Sequence, residues 1–188
     1  MINRKSFIVG IKSTKLSLSE KNFLKKYRPW GVILFSRNIN NIDQAKKLTF
    51  SIRKIFNDPN YPILIDQEGG RVNRLKKIIS FDNLTAEFFG KKFSKNHLEF
   101  KIFFKLFIDK TSFLLKSIGV NINTMPVLDL KIKGSSNVIG DRSYSNDPKI
   151  VSKIGDICID FFRQNSIGTV IKHIPGHGLA KVDSHHYT

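Results

Sequence analysis

Hydrophobic and polar positions follow two rhythms along this chain, and the switches between them outline its elements. Short apolar runs rich in β-branched and aromatic residues fall at 6–11, 31–35 (GVILF), 62–66 (PILID), 120–130 (VNINTMPVLDL) and 168–172 (GTVIK). Runs of this kind and length fit strands, the continuous ones buried on both faces. Between them the period lengthens: Ile42, Ala45, Leu48, Ile52, Ile55 and Phe56 recur at helical spacing. Ser17-Leu18-Ser19-Glu20 has the spacing of a capping box and predicts a helix to about Tyr27. Residues 84–118 carry helical periodicity with a polar break at 94–96, which predicts two helices. Asp147-Pro148 pairs an N-cap with proline at the first helical position, and Ile150, Ile154, Ile157, Phe161 and Phe162 continue an apolar face. Strands alternating with helices predict parallel βαβ units in one α/β body, and no linker or low-complexity tract divides them.

This pattern leaves two architectures open. A doubly wound sheet of five strands is complete at 188 residues, whereas an eight-unit barrel normally needs ~250. The first strand is not followed by G-x-G-x-x-G, and no G-x-x-x-x-G-K-S/T occurs, which weakens a nucleotide-binding open sheet. With 40% apolar residues, 16 Phe and a mean hydropathy of −0.19, the chain fills a core and is not disordered. No apolar run approaches the ~18 residues of a spanning helix, and the basic start at Met1 to Lys5 precedes only a short apolar run, too small for a signal-peptide core. The expectation is a soluble, unexported, cytoplasmic protein, and the single Cys158 suits that reducing setting.

The charge sum of 32 − 15 = +17 and a pI near 10.1 invite a nucleic-acid reading. The lysines, however, are dispersed over helix faces (Lys91, Lys92, Lys95, Lys101, Lys105, Lys110, Lys116), with no helix-turn-helix, RNP-type motif or zinc knuckle beside them. A solvated lysine-rich surface is expected, with no specific nucleic-acid partner and no membrane partner.

Four of the five histidines lie between positions 173 and 186. His173, His177, Asp183 and His185 invite a metal reading, but Ile-Pro-Gly between the first two keeps their four-residue spacing off a helix face, and no Cys or Glu adds a ligand. No metal is expected. The histidine-rich loop leaves the C-terminal end of a predicted strand, as do the loops beginning at Asp66 and beyond Asp129. Folds of the α/β class place ligands at such ends.

These loops resemble glycoside hydrolase family 3, in its branch of bacterial cytoplasmic β-N-acetylhexosaminidases that recycle cell-wall fragments. The branch pattern K-H-F/I-P-G-H-G, four variable residues and D-S-H matches Lys172 to Gly178 and Asp183 to His185. G-V-I-L-F-x-R-N matches Gly31 to Asn38, D-x-E-G-G-x-V-x-R matches Asp66 to Arg74, and P-V-x-D with G-x-R-S-F/Y matches Pro126 to Asp129 and Gly140 to Tyr144. The resemblance implies an α/β fold of (β/α)8 TIM-barrel type, incomplete, with about five βα units present. It implies retaining hydrolysis of terminal β-linked N-acetylglucosamine from small cell-wall-derived saccharides or muropeptides, without a cofactor. His185 matches the proton donor, an imidazole that titrates near neutrality and so suits a group that donates and then accepts. Asp183 matches the carboxylate that orients it. Asp66, Arg142, Lys172 and His173 match sugar-binding positions, while Glu68 and Arg74 are expected to fix their loop.

One family feature has no counterpart. The nucleophilic aspartate that retention requires belongs to a later loop, so residues 1–188 are expected to form the N-terminal part of a single catalytic barrel, ending before the nucleophile. Two other readings stay open: a different exo-β-glycosidase of the family, or a non-catalytic fragment or decayed paralogue.

Overall fold

A computed structural model describes residues 4–134 and 137–181. Five strands alternate with helices: β1 Lys5–Gly10, α1 Leu18–Tyr27, β2 Pro29–Leu34, α2 Ile42–Phe56, β3 Ile63–Ile65, α3 Ala86–Lys95, α4 His97–Ser117, β4 Ile122–Asn123, α5 Pro148–Gln164 and β5 Gly168–Thr169. Local chemistry sets the helix starts. Ser17 and Glu20 form the capping box of α1, Asn41 caps α2, Thr85 caps α3, and Asp147 caps α5 with proline in its first turn. The polar break resolves as Asn96, whose side chain accepts from the backbone of Leu98 and Glu99 and so starts α4 directly after α3 ends.

Two expected strands are much shorter than their apolar runs. Of 120–130 only Ile122–Asn123 joins the ladder, and of 168–172 only Gly168–Thr169. Pro126 explains the first, since it has no N–H to donate. Pairing resumes irregularly beyond it: Lys172 N donates to Pro126 O at 3.2 Å, and Leu128 N to Lys172 O at 2.7 Å. The interruption lets the backbone turn while still carrying Asp129 and Lys172 to neighbouring places.

The sheet is wholly parallel, in the order β1-β2-β3-β4-β5. A doubly wound sheet reverses its strand order at a switch point. Here each strand pairs with its sequence neighbours and the winding never reverses, which is barrel topology. Among the described residues β1 and β5 do not pair with each other, so the strands make part of a barrel wall.

Helices cover the sheet through an aromatic seam. Phe93, Phe100, Phe104 and Phe89 are buried and meet in sequence, with ring centroids 5.1, 5.0 and 4.8 Å apart. Burying each such side chain contributes about 1.5–3 kcal/mol. Cys158 is buried in the same core, and burial pushes its thiol pKa up, away from reactivity.

Gly90 fixes how α3 meets the segment after β4. A Cβ there would stand 1.7 Å from the Tyr144 carbonyl oxygen. Gly90→Ala is therefore expected to destabilise by about 1–3 kcal/mol despite alanine's better helix propensity. Urea unfolding checks this; an unchanged or raised midpoint would refute the close approach.

Candidate active site

Three strand ends supply the site. β3 delivers Asp66 and, two residues on, Glu68; the segment after β4 delivers Thr124, Asp129 and, beyond it, Arg142; β5 leads to Lys172 and His173. Their charges interlock. Lys172 Nζ lies 2.9 Å from Asp66 Oδ1, 2.6 Å from Glu68 Oε1 and 3.0 Å from Thr124 Oγ1. An ammonium has three donors, so Lys172 is saturated by these partners. Glu68 also takes a two-point contact from Arg142, with Nε to Oε2 at 2.8 Å and Nη2 to Oε1 at 2.9 Å. Arg142 Nη1 donates to Val138 O at 3.2 Å.

Burial by itself would raise the pKa of both carboxyl groups. For Asp66 the Lys172 charge, the Thr124 hydroxyl and Arg74 outweigh it, and for Glu68 the contacts from Arg142 and Lys172 do, so both are held below the ordinary carboxylate range. Ionised carboxylates accept hydrogen bonds and give no protons. Asp66 Oδ1 is engaged by Thr124 and Lys172, while among the described residues the partner of Oδ2 is Arg74, at 3.5 Å. Oδ2 is thus the oxygen with capacity to accept from ligand hydroxyls.

A second constellation holds the loop after β5. Asp129, buried, accepts from His173 N at 3.1 Å, from His177 N, and from Gly178 N at 3.1 Å, and its Oδ2 lies 2.6 Å from His173 Nδ1. Burial raises its pKa, but the His173 ring and the backbone donors win, leaving the carboxyl at about 2. The contact through Nδ1 fixes which ring nitrogen of His173 faces the carboxylate.

The structure therefore brings together Asp66, Arg142 and Lys172, with His173 beside Lys172 on a loop tied to Asp129. Asp183 and His185 lie outside the described residues. Glu68, expected to fix its loop, donates its backbone N–H to Val72 O at 3.0 Å across that loop, and its side chain also joins Arg142 to Lys172. The loop is fixed by Gln67, whose Oε1 accepts from Arg74 N and Leu75 N at 2.9 and 3.1 Å, and by Asn123, which exchanges two hydrogen bonds of 3.0 Å with the Gln67 backbone. Asn123 and Thr124 carry no signal beyond polarity inside an apolar run, and Gln67 stands at a variable position of a polar loop. Among the described residues no group of His, Cys, Asp and Glu is arranged to hold a metal ion.

This geometry meets a family match over almost the whole chain: the Glycosyl hydrolase family 3 N terminal domain covers residues 3–188. The chain belongs to glycoside hydrolase family 3. Similar proteins include the beta-hexosaminidase of Hydrogenovibrio crunogenus, 37% identical over 178 residues, and that of Thioalkalivibrio sulfidiphilus, 32% identical over 179. Each alignment covers 95% of this chain but only 49% and 50% of the relative, so the chain spans about half the length of the curated relatives it matches. A crystal structure of NagZ from Neisseria gonorrhoeae in complex with N-trifluoroacetyl-D-glucosamine superposes with a TM-score of 0.86 at 29% identity, covering 98% of this chain and 54% of that one. The likeness agrees with the barrel topology of the sheet.

Proposed function

We propose that residues 1–188 form the sugar-binding part of a retaining, cofactor-free β-N-acetylhexosaminidase that releases terminal β-linked N-acetylglucosamine from cell-wall-derived saccharides or muropeptides in the cytoplasm. The observation that carries this reading is the ionised Asp66, held by Lys172, Thr124 and Arg74 with Oδ2 left to accept from sugar hydroxyls, at the strand ends where barrels bind substrate. Relatives called beta-hexosaminidase and the aminosugar analogue in the Neisseria protein support the substrate class.

In this reading Asp66 accepts from ring hydroxyls, and the N–H groups of Arg142 not used by Glu68 or Val138, with the His173 ring, complete the pocket. Lys172 keeps the two carboxylates together. Retention proceeds by two displacements. A carboxylate from outside residues 1–188 attacks the anomeric carbon as the glycosidic C–O bond breaks, and His185, oriented by Asp183, protonates the departing oxygen. Water then attacks the same carbon, His185 takes its proton, and the carboxylate leaves.

The test uses residues 1–188 expressed alone. Titration by NMR is expected to show N-acetylglucosamine binding that weakens roughly 10- to 100-fold in Asp66→Ala, the loss of a hydrogen bond to a charged acceptor. No turnover of aryl β-N-acetylglucosaminides is expected. Binding indifferent to Asp66→Ala would end the pocket assignment, and turnover at an intact enzyme's rate would place the nucleophile within these residues.

A further inference from the structure

We propose that the outward face of α4 docks on an anionic lipid surface. One side of this helix is core: Phe100, Phe104, Phe107, Ile108, Leu114 and Leu115 are buried. The opposite side carries apolar residues among its charges. Leu98, Ile102, Leu106 and Phe113 are 71%, 52%, 61% and 61% exposed. Their spacings of four, four and seven residues place them in one stripe, about 22 Å long at 1.5 Å per residue. Phe103 is exposed beside it. An exposed apolar stripe rimmed by charged residues, here Lys101, Lys105 and Lys110, has the character of a contact surface.

Its surroundings decide the partner. Helices α3 and α4 carry seven lysines (91, 92, 95, 101, 105, 110 and 116) against three acids. All three acids are already engaged: Glu87 by Lys91 and Lys131, Glu99 by Lys92, and Asp109 by Lys105. Lys101, Lys110 and Lys116 form no salt bridge among the described residues, and Lys95 acts on Glu99 only at longer range. Lysines also border the exposed rings, with Lys92 Nζ 4.5 Å from the Phe103 centroid and Lys110 Nζ 5.8 Å from that of Phe113.

A second copy covering this face would set lysine-rich surfaces of two +17 chains against each other. A nucleic acid would neutralise the lysines but offer Leu98, Ile102 and Leu106 no apolar phase. A bilayer with anionic headgroups answers both, taking the stripe into the acyl boundary and the lysines onto phosphates, as amphipathic interfacial helices do. No helix among the described residues is long and apolar enough to cross a membrane, and the other side of α4 is held by the core, so the contact is peripheral. This departs from the expectation, drawn from the sequence, of a solvated lysine-rich surface with no membrane partner.

The test is co-sedimentation of residues 1–188 with phosphatidylcholine vesicles and with vesicles containing about one-third phosphatidylglycerol, at low and high salt. Binding to the anionic vesicles alone, weakened by salt, is expected. Ile102→Ser with Leu106→Ser, which changes no charge and touches only exposed positions, is expected to weaken it at least about tenfold, with circular dichroism unchanged. Lys101→Glu with Lys110→Glu is expected to weaken it more than the charge-matched Lys21→Glu with Lys25→Glu on α1. Absence of binding would overturn the proposal. Binding that ignores the serine pair and responds alike to both lysine pairs would reduce it to attraction of a basic chain. Self-association abolished by the serine pair, without vesicle binding, would make a second copy the occupant.

Discussion

Glu68→Ala is expected to lower the unfolding free energy by about 3–5 kcal/mol, the usual cost of removing one partner from a buried ion pair. Glu68 is 7% exposed and receives Arg142 through two hydrogen bonds and Lys172 through a third contact of 2.6 Å. Without it, Lys172 keeps Asp66 as its salt-bridge partner among the described residues, and Arg142 is left to the more distant charges of Asp66 and Asp129. For a chain of this size the loss corresponds to a fall in melting temperature of roughly 10 °C. Glu68→Gln keeps the volume and one acceptor, and is expected to cost less but still release Lys172. The pairwise claim is checked by a double-mutant cycle with Arg142→Met: once Glu68 is gone, the second substitution is expected to cost far less than it does alone. Additive losses would show that Glu68 and Arg142 contribute independently and that the bridge carries no coupling. Acid adds a directional check. The Glu68 pKa is lowered on folding, so its contribution is present above the unfolded value of 4.5 and is lost as pH falls through the folded one, and the gap between native protein and Glu68→Ala narrows in that direction.

What the sequence disclosed about this molecule divides by distance along the chain. Helix starts depend on contacts three residues apart, and the Ser17–Glu20 box, the Asn96 restart and the Asp147-Pro148 opening were all legible as short polar signals in an apolar rhythm. Ladder lengths were less so: Pro126 signals an interruption inside the run at 120–130, but apolarity alone does not show that pairing resumes irregularly beyond it. Winding was invisible for a deeper reason: periodicity reports which face of an element is apolar, not which strand lies beside it. The motifs located Asp66, Arg142, Lys172 and His173, yet the work of Glu68 could not be read, since its partners are 74 and 104 positions away. Asp129 stands in the sequence as the strand-end carboxylate of the P-V-x-D match, and what it holds depends on the backbone of residues that follow β5. The stripe on α4 was folded into the general helical periodicity of 84–118, since Leu98, Ile102 and Leu106 match the same spacing as the core-facing set.

Asp129→Ala is expected to release the loop at 173–178. Its carboxylate is shared by three backbone N–H groups and the His173 ring, so alanine leaves several donors to find water, and one methyl cannot replace them. The folded pKa of about 2 against an ordinary 3.8 corresponds to about 2 kcal/mol of stability at neutral pH. Because the pKa is depressed on folding, that contribution is complete above the unfolded value of 3.8 and disappears as pH falls toward 2. Chemical denaturation at pH 7 should therefore separate native protein from Asp129→Ala by about 2 kcal/mol or more, and the separation should shrink steadily below pH 4. Asp129→Asn distinguishes charge from shape: its amide oxygen retains one or two of the donors, but its NH2 opposes the others, so it should fall between native and alanine. Hydrogen exchange locates the effect. The amides of His177 and Gly178 should lose protection in both variants, while those of β3, whose neighbours are unchanged, should keep it. A pH-independent gap, or protection lost evenly across the sheet, would mean that Asp129 supports the core as a whole and does not hold the loop that carries His173 to the site.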